Sequence, residues 1–71
     1  MSFSTEEDAQ RAIETWRQEP EKTQRKEIRL AIESLELSQM YYEQKGNDLG
    51  CARSGRCIAL LRARLAELAA E

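Results

Sequence analysis

Seventy-one residues make a single domain near the lower size limit for a chain that folds without staples. The net charge of −2, from 13 acids and 11 bases, argues against wholesale binding to nucleic acid or to an anionic membrane. Two cysteines and no histidine fall short of the four ligands that structural zinc takes, and remove the usual general base. No metal, cofactor or enzyme active site is therefore expected.

The chain reads as three helices in one domain, 1–71, predicted at about 5–18, 20–45 and 49–70. Two capping boxes compete for the first start, Ser4 with Glu7 and Thr5 with Asp8. Glu6, Glu7 and Asp8 place negative charge at the positive end of that helix. Ala9, Ala12, Ile13 and Trp16 follow as a short apolar stripe. Glu19-Pro20 ends it, because the residue before proline is pushed out of the helical region. Pro20 is placed in the first turn of the second helix. Gly46-Asn47-Asp48 stops that helix, with Gly46 suited to a left-handed position and Asn47 or Asp48 to capping the third helix. Gly50 and Gly55 weaken the start of the third helix, each costing about 1 kcal/mol against alanine. The favoured explanation is room for Tyr41 and Tyr42, and the alternative is a flexible loop or ligand-binding backbone.

Two heptad seams fix the expected pairing. Ile28, Ile32, Leu35, Gln39 and Tyr42 step by 4, 3, 4 and 3, as do Ser54, Ile58, Leu61, Leu65 and Leu68. That spacing keeps one side of a helix against a neighbour. Folding about Asn47 sets Ile28 against Leu68, Leu35 against Leu61, Gln39 against Ile58 and Tyr42 against Ser54. The expected fold is all-α: a short N-terminal helix plus a long antiparallel helical hairpin, forming a dimeric helical bundle.

Candidate functional residues lie off these seams. Leu30, Leu37 and Tyr41 form a second apolar side of the second helix, where a surface helix needs only one. Either the first helix covers it, with Ile13 near Leu30, Ala9 near Ser34 and Phe3 near Leu37 or Tyr41, or a second copy or another protein does. Leu30, Leu37, Met40 and Tyr41 are the expected contact residues. Lys22, Arg25, Lys26 and Arg29 share a face at the start of the second helix, where cations oppose the helix dipole. Local pairing, such as Arg29 with Glu33, or cross-helix contact with Glu67 and Glu71, is the simpler explanation. An anionic partner is the sharper one, with Arg53 and Arg56 of the third helix as further candidate anion ligands. Arg62 and Arg64 read as off the third helix's seam. Cys51 and Cys57 sit about 240° apart on a helix and cannot bond each other. Cys51, near a helix start beside Arg53 and Arg56, is the candidate for a lowered thiol pKa.

Tyr42, Gly46, Asn47 and Ala52 resemble the turn of a tetratricopeptide repeat. That unit needs stacked neighbours, and here the helices are too long and the turn occurs once, so no family follows. The reading that results is a non-enzymatic protein-binding module, an adaptor or inhibitor that self-associates as a homodimer in the reduced cytoplasm, without membrane contact. Bacterial and phage modulators supply the functional class as a prior. The alternative is a small nucleic-acid-associated regulatory protein using the basic faces of the second and third helices.

Overall fold

The computed structural model describes Phe3 and residues 5–70. It is all-helical, with α1 at Glu6–Trp16, α2 at Glu21–Gln44 and α3 at Asp48–Ala70. The molecule measures 39 × 18 × 17 Å, and the long dimension is close to the roughly 36 Å of a helix the length of α2.

Local chemistry sets each helix end. At α1 the Thr5 hydroxyl accepts from the Asp8 amide at 3.3 Å, and the Asp8 carboxylate accepts from the Thr5 amide at 3.1 Å. This reciprocal box satisfies two of the donors that a helix start leaves open. The competing box falls on Ser4, outside the described residues. Pro20 precedes α2 with φ −56° and ψ 149°, so it stands just before the first helical residue rather than inside the first turn. Gly46 takes the left-handed conformation, φ 70°, after the end of α2. Asn47 then caps α3, its side-chain oxygen accepting from the Gly50 amide at 2.9 Å. With that cap in place α3 is helical from Asp48 through both glycines. The flexible-loop alternative for that segment does not hold.

The core lies between α2 and α3, which share the most extensive contact of the three helix pairs. Ile28 and Leu61 are fully buried, and Ile32, Leu35, Ser54, Ile58 and Leu68 nearly so. Gln39, Tyr42 and Leu65 are half-buried. All ten seam residues therefore point inward or to the rim of the core.

Near the turn the pairing differs from expectation. Gln39 meets Cys51 rather than Ile58, its amide donating to the Cys51 carbonyl at 3.2 Å while the Cys51 thiol donates to the Gln39 carbonyl at 3.7 Å. The Tyr42 ring lies over Gly50 rather than Ser54, so close that a Cβ there would be 2.7 Å from the ring. The partner lies nearer the loop by about two turns for Gln39 and about one for Tyr42. The physical reason is local: an aromatic ring needs a position without a side chain, and a half-buried amide needs a carbonyl.

Farther along, Arg62 reaches Glu36 at 3.4 Å. Arg64 is 6% exposed and donates to the Gln24 side chain at 3.2 Å. Gln24 in turn donates to the Glu19 carbonyl at 2.8 Å and ties α3 to the α1–α2 connection. Glu67, at 3.6 Å, supplies a carboxylate for the Arg64 guanidinium. Arg64 is thus an interior residue, and its expected place off the seam is corrected. Planar, multidentate guanidinium suits such a site better than lysine would.

Candidate functional site

The position of α1 decides what remains uncovered. Its buried face is Ala9, Ala12 and Ile13, with Trp16 half-buried. That face packs more against α3 than against α2. Glu6 pairs with Arg56 of α3 at 2.8 Å, and the Cys57 thiol donates to the Thr5 carbonyl at 3.3 Å. Ile13 borders a groove with Leu60, Ala63 and Arg64 of α3, not the expected place beside Leu30. Phe3 and Trp16 line a shallow groove with Leu30, Ala31 and Ser34 of α2, so Phe3 stops short of Leu37 and Tyr41. Alanines at positions 9 and 12 let α1 sit close but give it little width.

The outward side of α2 is consequently open. Leu30 is 51% exposed, Leu37 68%, and Met40 and Tyr41 56% each. The Tyr41 ring packs edge-on against Tyr42, centroids 5.8 Å apart, with the Lys45 ammonium 5.7 Å from its centre. Leu49, in the first turn of α3, is also exposed and was not singled out from the sequence. Lone exposed leucines are ordinary, but a row of large apolar side chains along one helix is not. The row has its own heptad spacing: Lys26, Leu30, Glu33, Leu37, Met40 and Gln44 step by 4, 3, 4, 3 and 4. Half of those positions are polar, so the spacing does not stand out as an apolar seam.

No protein family, curated protein or solved structure matches this chain.

The candidate anion ligands fall into two groups. Arg25 pairs with Glu21 at 3.4 Å, and Arg56 with Glu6. Lys22, Lys26, Arg29 and Arg53 are exposed and have no carboxylate within 4.0 Å among the described residues. The expected pairing of Arg29 with Glu33 does not form, Glu67 meets Arg64 rather than a cation of this run, and Glu71 lies outside the described residues. Arg53 borders a shallow surface with Thr5, Glu6, Glu7 and Arg56, where carboxylates already supply the counter-charge. The basic side chains of α2 and α3 do not converge on one point.

Neither cysteine has the environment of a reactive thiolate. Desolvation raises the Cys51 pKa, and the neighbouring carboxylates of Glu43 and Asp48 push it further. Burial also raises Cys57, with Glu6 and Asp8 adding and Arg56 opposing. The lowered Cys51 pKa expected from a helix start is corrected, because desolvation first, and then the carboxylates of Glu43 and Asp48, raise it. No cluster of three or more metal-ligating side chains occurs among the described residues. No helix, among the same residues, is long and apolar enough to cross a membrane.

Proposed function

We propose that this chain is a non-enzymatic protein-binding module, an adaptor or inhibitor, in which an antiparallel α2–α3 hairpin braced by α1 presents the outer side of α2. The observation that carries the reading is the open row Leu30, Leu37, Met40 and Tyr41, which α1 leaves uncovered by lying against α3. Burying such a row against another surface yields roughly 25 cal/mol per Å² of apolar area removed from water. Tyr41 and Met40 are residue types enriched where proteins meet. Self-association as a homodimer belongs to the same reading.

A photo-reactive side chain installed at Leu37 tests it in the expressing cell. A discrete covalent adduct, with this chain or with another protein, is the expected result. Absence of any adduct at positions 30, 37 and 40 would remove the contact surface.

A nucleic-acid-associated role is the second reading, favoured by the exposed cations Lys22, Lys26 and Arg29. It expects affinity that falls steeply with salt, since released counterions drive such binding. A gel-shift titration at low ionic strength decides it, and no shift there ends it.

A further inference from the structure

The distribution of charge along α2 names the occupant of its outer side. The first ten residues, Glu21–Leu30, carry Lys22, Arg25, Lys26 and Arg29 against Glu21 and Glu27, a balance of 4 − 2 = +2. The remainder, Ala31–Gln44, carries Glu33, Glu36 and Glu43 and no base, a balance of −3. The two halves also share a flank. At about 100° per residue, Lys22, Arg25 and Arg29 lie about 120°, 60° and 100° around the axis from the core residue Ile28. Glu36 and Glu43 lie about 80° and 60° around in the same direction. The flank that borders the apolar row is thus basic at one end of α2 and acidic at the other.

Resting on the contact reading above, we propose that the partner is a second copy of this chain, bound antiparallel along α2. A two-fold axis perpendicular to two facing helices brings each flank against its own equivalent, running the opposite way. Basic then meets acidic. Lys22 and Arg29 are seven residues apart, as are Glu36 and Glu43, so one alignment pairs Lys22 with Glu43 and Arg29 with Glu36 of the other copy. The same alignment places Leu30 of each copy within a turn of the other's Leu37. A parallel pair, whose two-fold axis runs along the helices, would instead set this flank against the opposite flank of the other copy, so its basic and acidic ends would not meet.

Three features of the single chain become intelligible. Lys22, Lys26 and Arg29 have no carboxylate within 4.0 Å, and Glu33 and Glu43 no cation, among the described residues. Cations at the start of α2 oppose its own dipole, but an antiparallel neighbour sets its negative C-terminal end beside them. The apolar row is flanked by charge, the arrangement of a helix pair whose edges choose its orientation. Two features work against the pair: the two Glu33 carboxylates approach each other near the axis, each one turn from Arg29 of its own helix, and Glu36 is shared with Arg62 of its own chain at 3.4 Å.

The test is the dissociation constant of the full chain in reducing buffer, from sedimentation equilibrium over a dilution series. The wild type is expected to be a dimer of the 8.2 kDa chain. Lys22→Glu with Arg29→Glu is expected to weaken it about tenfold or more, because four attractive contacts become repulsive. Glu36→Lys with Glu43→Lys should weaken it similarly, and an equal mixture of the two variants should restore it. The acidic substitutions suit the start of a helix, so circular dichroism should show unchanged helicity. A wild type that stays monomeric at the highest concentration overturns the second copy and leaves the contact reading to the cross-linking result. A dimer lost with Leu37→Asp but indifferent to the Lys22 and Arg29 reversals overturns the antiparallel arrangement alone. A dimer indifferent to Leu37→Asp overturns both this inference and the contact reading.

Discussion

The two sides of α2 are built from similar residues and meet opposite fates. Inward stand Ile28, Ala31, Ile32 and Leu35, all buried. Outward stand Leu30, Leu37, Met40 and Tyr41, each more than half exposed. Hydrophobicity alone does not separate the two rows. What separates them is β-branching, continuity and edge charge. The inner row repeats without interruption and faces a matching row on α3. The outer row alternates with Lys26, Glu33 and Gln44, residues that tolerate water when the surface is open. On the proposed reading, this second apolar side is the one that meets a partner.

The strongest way to break the comparison is to damage the inner row. Ile28 is fully buried between helices, and Ile28→Ala is expected to cost about 2–5 kcal/mol through lost transfer energy and a residual cavity. Chemical denaturation at a fixed, low protein concentration measures this. For so small a domain that loss removes much of the total stability. A cost below about 1 kcal/mol would mean that the helices collapse around the gap, and that the inner row is no more specific than the outer one.

The end of the inner row offers a subtler test. Gly50→Ala should gain about 1 kcal/mol of helix propensity, yet its Cβ would stand 2.7 Å from the Tyr42 ring. The nearest ring atoms include Cγ, close to the root of the side chain, so the ring cannot step aside by a small terminal movement. Overpacking costs typically about 1–3 kcal/mol. Net destabilisation of about 1 kcal/mol is expected, read from the denaturation midpoint. A stabilised variant would show that Tyr42 leaves the core rim at little cost, shrinking the inner side to Ile28 through Gln39.

These two sites also show what was legible in the sequence. The seams around Ile28 and Leu61 were visible because a repeat of 4 and 3 is a property of neighbours along the chain. So were the Thr5 cap and the left-handed Gly46, which depend on three or four adjacent residues. The position of α1 was not. Its stripe is short, Ala9 and Ala12 fit against either long helix, and nothing local chooses between α2 and α3. Arg64 reads as off the seam because its interior partner, Gln24, lies 40 residues away. The pairing at the turn was missed because it depends on how a tyrosine ring seats on a glycine, which periodicity does not express. For the candidate site, the four contact residues were named from their angle on the helix, whereas the flank that brings cations and acids into one line needed the core to be located first.

The smallest expected effect is the most telling for the outer row. Leu37 is 68% exposed, so Leu37→Ala removes little that the monomer buries, and alanine is at least as good a helix former as leucine. Unfolding of the dissociated monomer should change by no more than about 0.5 kcal/mol, the range of ordinary surface substitutions. The measurement belongs at dilutions where neither protein associates, because a dimer adds concentration-dependent stability that would mimic a core effect. A loss of several kcal/mol under those conditions would place Leu37 in the monomer's own core and merge the two sides of α2 into one. No loss in the monomer, together with weakened association at higher concentration, would separate the sides by function: the inner one makes the fold, and the outer one joins it to another.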